Sequence, residues 1–180
     1  MSWCVDSVEV STVVYVPPED IYDFLVDFPR YARYSEHLRE VTQHGDGSTE
    51  TLYDLTFAWW KLSYTARSEV TELTPPERID WRLVRHIDAR GYWQVTPEPA
   101  SVPEHEECAS RVRFVVNFRP ESADSSAIQL PRFVSMGWVV EKVKPKIKEE
   151  AERVVRRVVA DLEGEEREVE LEIHATPDSV

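Results

Sequence analysis

The stretch Asp6-Ser7-Val8-Glu9-Val10-Ser11-Thr12-Val13-Val14-Tyr15-Val16-Pro17-Pro18-Glu19-Asp20-Ile21-Tyr22-Asp23-Phe24-Leu25 changes its hydrophobic period partway along, and that change decides the fold. From Asp6 to Val16, Val8, Val10, Thr12, Val14 and Val16 share one phase, while Ser7, Glu9 and Ser11 share the other. Period-two alternation of this kind is a strand with one buried face. Pro17-Pro18-Glu19-Asp20 then stops the strand and opens a helix, because proline suits the first turn and acids suit the positive N-terminal end. Ile21, Phe24 and Leu25 fall at i, i+3 and i+4, a short amphipathic helix that ends before Pro29. A second short helix is expected over Arg30 to Glu36; neither helix is long enough to be stable unpacked.

Downstream the alternation returns. A strand over Leu38–His44 leads into Gly45-Asp46-Gly47-Ser48, a hairpin turn. Thr49–Trp60 carries Tyr53, Leu55, Phe57 and Trp59 on one phase. Lys61–Leu73 places Leu62, Tyr64, Ala66, Ser68 and Val70 opposite a polar phase. After Thr74-Pro75-Pro76-Glu77, Arg78–Asp88 offers Ile79, Trp81 and Leu83, and Gly91–Thr96 offers Trp93 and Val95. Arg111–Arg119 is the clearest strand, with Val112, Phe114, Val116 and Phe118 between Arg111, Arg113, Asn117 and Arg119. One apolar face per strand and mostly short connections indicate an antiparallel meander.

The last element is helical. Ile147, Ala151, Val154, Val155, Val158, Val159 and Leu162 form a stripe at helical spacing, and Gly164 is the natural stop. A start near Leu130–Arg132 and an interruption at Pro145 are expected, since proline lacks the N–H and clashes with the preceding turn. Pro145 either bends this helix or opens a separate one. The acidic tail Glu165–Val180 contains a Val169-Glu170-Leu171-Glu172-Ile173 alternation, which fits an edge strand or a disordered segment. The expected division is a domain over residues 1–163 and a tail over 164–180.

This order of elements resembles the START-like (SRPBCC, helix-grip, Bet v 1-like) superfamily. The likeness rests on Val8–Leu25, Phe28-Pro29-Arg30-Tyr31, the Pro75-Pro76-Glu77-Arg78-Ile79 step, Gly91-Tyr92-Trp93-Gln94-Val95 and the terminal helix. Within the superfamily the chain is most similar to the polyketide cyclase/dehydrase and coenzyme Q-binding group, over roughly residues 5–163. The expected fold class is α+β: a curved seven-stranded antiparallel sheet wrapped around a long C-terminal helix, with two short helices after the first strand. A flat sheet of that size burying one face would curl, and the helix would cover its concave side. The resemblance also implies a hydrophobic cavity.

Composition excludes several classes of function. The 180 residues carry Lys+Arg 21 against Asp+Glu 34, a formal net charge of -13. Nucleic acid is therefore not an expected partner, because phosphate binding needs a basic face. Only five basic residues are lysine (Lys61, Lys142, Lys144, Lys146, Lys148), which with the acidity suggests adaptation to a salty cytoplasm. No signal peptide or membrane span is read, so a cytoplasmic protein is expected. Cys4 and Cys108 have no metal or disulfide spacing, and His37, His44, His86, His105 and His174 are scattered. No cofactor or metal is expected, and no catalytic residue can be named.

Aromatic content on the inward phases is what stands out. Tyr53, Phe57, Trp59, Tyr64, Trp81, Trp93, Phe114 and Phe118 face the concave side, with Phe133, Met136, Trp138 and Val139 or Val140 facing it from the covering helix. Such rings either pack solid or line an apolar pocket for a lipid, quinone or polyketide-like molecule. Thr12, Tyr53, Tyr64, Ser68 and Arg85 are the polar groups on those phases. Arg85 cannot shed its charge, so it would need a ligand oxygen or a carboxylate if it pointed inward; otherwise it reaches water. The alternative to simple binding is a cyclase, aromatase or dehydratase using the same cavity with Tyr53, Tyr64 or Arg85. A third possibility is a chain-associated chaperone module.

Overall fold

A computed structural model describes residues 5–124, 126, 132 and 134–176, with backbone only for helix residues 136, 137, 139, 140, 143 and 144. In chain order these form β1 (Asp6–Val14), α1 (Pro18–Val26), a 3-10 turn (Phe28–Arg33), β2 (Leu38–His44), β3 (Leu52–Trp59) and β4 (Leu62–Thr74). They are followed by β5 (Arg78–Leu83), β6 (Asp88–Pro97), β7 (Ser110–Arg119), α2 (Met136–Glu163) and β8 (Glu172–Ala175). The strands make one antiparallel sheet in the order β2-β3-β4-β5-β6-β7-β1-β8. The change of period at Pro17 is the β1–α1 junction, and the second expected helix is the 3-10 turn, with Pro29 in its first turn.

Register follows the apolar phases. Val8, Val10 and Thr12 of β1 oppose Val116, Phe114 and Val112 of β7, so the inward residues of the two strands share a face. The sheet is curled. In a flat sheet β1 and β3, five places apart, would lie roughly 24 Å from each other, yet both line one cavity with α2. Val14, Ile21, Phe24, Tyr53, Val70, Ile79, Val95 and Val159 all belong to one buried cluster drawn from both helices and the sheet.

Gly91 in β6 makes part of this curl possible. It pairs with Trp81 of β5 and Val116 of β7. A Cβ there would lie 2.2 Å from the Val115 carbonyl oxygen and 2.7 Å from Trp81 Cζ2. Without that atom, Trp81 lies across β6 and stacks on Phe114 of β7, ring centroids 5.9 Å apart.

The C-terminal region departs from the sequence reading in four places. The sheet has eight strands rather than seven, because Glu172–Ala175 pairs with β1. This strand begins later than the Val169–Ile173 alternation suggests. Val169 packs on the core, Leu171 lines the cavity and the Glu170 carbonyl accepts from Thr12 Oγ1 at 2.8 Å, so the chain is still crossing the sheet rim there.

The other three departures concern α2. It runs unbroken through Pro145. Pro145 and Glu141 are both exposed, so water can satisfy what the missing i to i−4 bond leaves open, although the position costs about 3 kcal/mol against alanine. Ile147 is 62% exposed and leaves the apolar stripe, which starts at Glu150 and Ala151. The expected start at Leu130–Arg132 lies largely outside the described residues; the helix as described begins at Met136, capped by Ser135 Oγ accepting from the Trp138 N–H at 3.2 Å. Its end is as expected, with Gly164 left-handed at φ 82°.

Candidate functional site

A cavity of about 690 Å³ lies between the concave face, α1 and the C-terminal half of α2. Its walls reproduce the period-two phases. β3 contributes Tyr53, Leu55 and Phe57, β4 contributes Tyr64, Ala66 and Ser68, and β5 contributes Trp81 and Leu83. Trp93 enters from β6, Phe114 from β7, and Val154, Val155 and Val158 from the helix opposite. The volume falls within the range of ordinary small-molecule sites. Phe57 both lines the cavity and is 38% exposed, so the cavity reaches the surface at that end of β3.

Rings form a continuous wall. Trp81 stacks on Phe114, Phe114 meets Trp93 at 4.6 Å, and Trp93 meets Tyr31 edge-on at 6.5 Å. Tyr31 then touches Phe28 at 5.3 Å, and Phe28 touches Tyr53 at 4.6 Å. Each such contact adds about 0.5–1.5 kcal/mol beyond burial, which favours a preformed wall over one that collapses inward.

The polar groups on this wall are few and mostly occupied. Tyr31 OH donates to the Leu25 carbonyl, and Tyr34 OH donates to the Asp161 carboxylate. The Tyr53 and Tyr64 hydroxyls make no hydrogen bond among the described residues; that of Tyr53 lies toward the turn between β2 and β3, 4.0 Å from where a Cβ on Gly47 would be. Burial pushes both phenols above their ordinary range; Asp27 adds to the effect on Tyr53, while Arg85 opposes it at Tyr64. Both therefore keep their protons at neutral pH.

Glu150 is the one carboxylate on the wall among the described residues. Its Oε1 accepts from Ser35 Oγ at 2.8 Å and from the Glu36 N–H at 3.3 Å, and its Oε2 accepts from Arg153 at 2.9 Å. Glu150 is not among the residues singled out from the sequence. The signal was present, because Glu150 is i−4 to Val154 and i−8 to Val158, on the apolar stripe itself. The wall formed by Phe24, Phe28, Tyr31 and Tyr34 was likewise not singled out, although α1 and the 3-10 turn were.

Of the residues expected at the site, Tyr53, Phe57, Tyr64, Trp81, Trp93 and Phe114 come together on the cavity wall. Trp59 and Phe118 do not line it. Trp59 pairs with Leu62 at the hairpin end of β3, and Phe118 pairs with Asp6 and Ala89 near the C-terminal end of β7. Arg85 lies past the end of β5, outside the cavity, with its guanidinium 3.9 Å from Asp54. Asp54 points to the convex face, where Arg67 grips it at 2.7 and 2.8 Å and His44 approaches at 2.9 Å. Alternation carried through Leu83 cannot be extended to Arg85, because the chain turns there. Trp138, expected to face inward, does not line the cavity and is 39% exposed, while Phe133 and the side chains of Met136, Val139 and Val140 lie outside the described residues.

Among the described residues no group of three or more His, Cys, Asp or Glu is arranged to hold a metal ion. None of the described helices is long and apolar enough to cross a membrane.

Comparison with known proteins agrees with this architecture. The Zhui aromatase/cyclase from a Streptomyces species superposes with a TM-score of 0.61 at 15% identity, over 89% of this chain and 94% of that one. The di-domain ARO/CYC StfQ of steffimycin biosynthesis gives 0.58 at 14% identity over 89% of this chain; the chain spans only about half of it, 51%. Ara h 8.0201 gives 0.57 at 12% identity over 89% of this chain and 99% of its own. These likenesses concern the fold. No curated protein matches the sequence. A family model described as polyketide cyclase / dehydrase and lipid transport matches residues 6–159. With that span covering most of the helix-grip architecture, the chain belongs to the polyketide cyclase/dehydrase and lipid transport family.

Proposed function

We propose that the protein binds an apolar small molecule, of lipid, quinone or polyketide-like character, in the cavity between the sheet and α2. The observation that carries this reading is the cavity itself: about 690 Å³, walled by rings and aliphatic side chains, and reaching the surface at Phe57. Burying apolar ligand area there would contribute roughly 25 cal/mol per Å² before ordering costs. The Tyr64 hydroxyl would orient a carbonyl or quinone oxygen. Titration with Nile red, a neutral apolar fluorophore, tests the reading. Saturable binding is expected, weakened at least tenfold by Ala66→Phe, which fills the cavity from a strand position suited to phenylalanine. Binding that Ala66→Phe leaves unchanged would place the dye elsewhere and overturn the assignment.

A second reading is a cyclase or aromatase acting in the same cavity. Glu150 favours it: a carboxylate on an apolar wall that also presents the protonated Tyr64 phenol can take a proton while the phenol steadies a developing enolate. Two of the structural neighbours are named as aromatase/cyclases. On this reading Glu150→Gln would abolish aromatisation of a poly-β-ketone thioester mimic and leave Nile red binding intact. Turnover by that variant at the native rate would exclude Glu150 as the base.

A further inference from the structure

We propose that the face carrying Trp60 and Trp138 docks the protein on an anionic lipid surface. Two separate elements build this face. The turn between β3 and β4 consists of Trp60 and Lys61, and the Trp60 ring lies 5.9 Å from that of Trp138 in the first turn of α2. Trp60 is 59% exposed and Trp138 is 39% exposed. Trp60 also adopts φ 54° at the first position of a two-residue hairpin loop, where glycine is the usual residue. A bulky side chain held there at a backbone cost, with its ring in solvent, points to a use outside the fold.

Charge says what that use is. All five lysines of the chain lie on these two elements: Lys61 at the turn, its ammonium 5.6 Å from the Trp60 ring centroid, and Lys142, Lys144, Lys146 and Lys148 on α2. Residues 57–64 and 138–149 together carry five lysines and two acids, Glu141 and Glu149, a net +3. The remaining residues therefore carry -16 of the total of -13. Residues 145–149 are exposed without a break, so this part of α2 is uncovered on every side.

The choice of lysine separates a bilayer from an acidic protein. Where this chain grips its own carboxylates closely it uses arginine, as in Arg67–Asp54, Arg111–Glu98 and Arg167–Glu163, because the guanidinium fork matches a carboxylate; Lys146 reaches Glu149 only at 3.9 Å, with both side chains more than half exposed. Lysine on this face is a mobile point charge suited to a diffuse layer of headgroups, and tryptophan favours the boundary between headgroup and acyl chain. The cavity opens at Phe57, three residues before Trp60, so a docked molecule would meet the source of an apolar ligand at its mouth. That last link rests on the cavity reading; the docking face does not.

Vesicle flotation with the full chain tests the proposal, using phosphatidylcholine vesicles with and without phosphatidylglycerol at low salt. The protein should partition onto the anionic vesicles only. Each lysine near a charged surface contributes about fivefold. Combined Lys142→Glu, Lys146→Glu and Lys148→Glu should therefore weaken partition by at least about a hundredfold. Trp60→Gly, which removes the ring and restores the residue ordinary at that φ, should weaken it several-fold without loss of folding. Nile red binding should be unchanged in both variants, so failure of docking and failure of the cavity reading are seen separately. No partition onto anionic vesicles, equal partition onto neutral ones, or indifference to the charge reversals would overturn the proposal. Capture of an acidic protein by a chain that ignores vesicles would do the same.

Discussion

Gly91→Ala probes the link between the sheet's curl and the cavity. Gly91 has no left-handed backbone, so on chain-entropy grounds alone alanine would stabilise by about 0.4–1 kcal/mol. Packing opposes this. The new Cβ would sit 2.2 Å from the Val115 carbonyl oxygen, where an ordinary carbon–oxygen contact is roughly 3.3–3.6 Å. About 1 Å of movement is needed, and the obstacle is backbone in a paired strand, so it cannot rotate away. The same Cβ would meet Trp81 at 2.7 Å and push its ring off Phe114 toward the cavity. Overpacking costs about 1–3 kcal/mol, and a backbone clash belongs at the upper end. The net loss should be about 2 kcal/mol. With an m-value near 2 kcal/mol/M, the urea midpoint should fall by about 1 M at constant m. Nile red affinity should fall with it. A midpoint that stays or rises would refute the reasoning, since the entropy term would then have won and the close approach could not be as described.

Two further outcomes follow from groups outside the cavity. Arg67 holds the Asp54 carboxyl down at about 2, from an ordinary 3.8, with His44 adding to the effect. A depressed carboxylate contributes stability above its unfolded value and loses it as the folded group protonates. Stability should thus fall between about pH 4 and pH 2, by about 1 kcal/mol once solvent screening is allowed for. Urea unfolding across that window should show a loss about 1 kcal/mol larger in the wild type than in Asp54→Asn, which keeps only the contribution of other depressed carboxylates such as Glu98. Ser110 is fully buried and donates from Oγ to the Val16 carbonyl at 2.8 Å, tying β7 to the junction where β1 gives way to α1. Ser110→Ala should cost about 1–3 kcal/mol, lowering Tm by about 2–4 °C per kcal/mol in calorimetry; an unchanged Tm would show that the bond contributes nothing.

What was legible in the sequence was whatever repeats. The two-residue phases of β3, β4, β5, β6 and β7 place Tyr53, Tyr64, Trp81, Trp93 and Phe114 on one wall, because alternation is a local property of a pleated strand. It stopped being informative where strands stop. Arg85 keeps the phase of Leu83 on paper but lies beyond a turn, and Trp59 and Phe118 keep theirs beyond the ends of the cavity. Charge misled at Glu150, where a carboxylate sits on the apolar stripe because Ser35, Arg153 and the Glu36 N–H satisfy it, partners that are far apart or unoriented in a linear sequence. Pro145 misled in the other direction. A proline ends a helix when its lost bond cannot be replaced, and whether water reaches that point is a tertiary fact. The tail's edge strand also depends on distant partners, since Glu172–Ala175 is held by β1 at the other end of the chain.

The central claim is that the cavity holds an apolar molecule. Native mass spectrometry of the full chain purified without detergent from its own host tests that most directly. The account predicts an adduct of a single small molecule that organic solvent releases and that Ala66→Phe diminishes. A bare mass, together with no thermal shift across a library of apolar compounds, would contradict it.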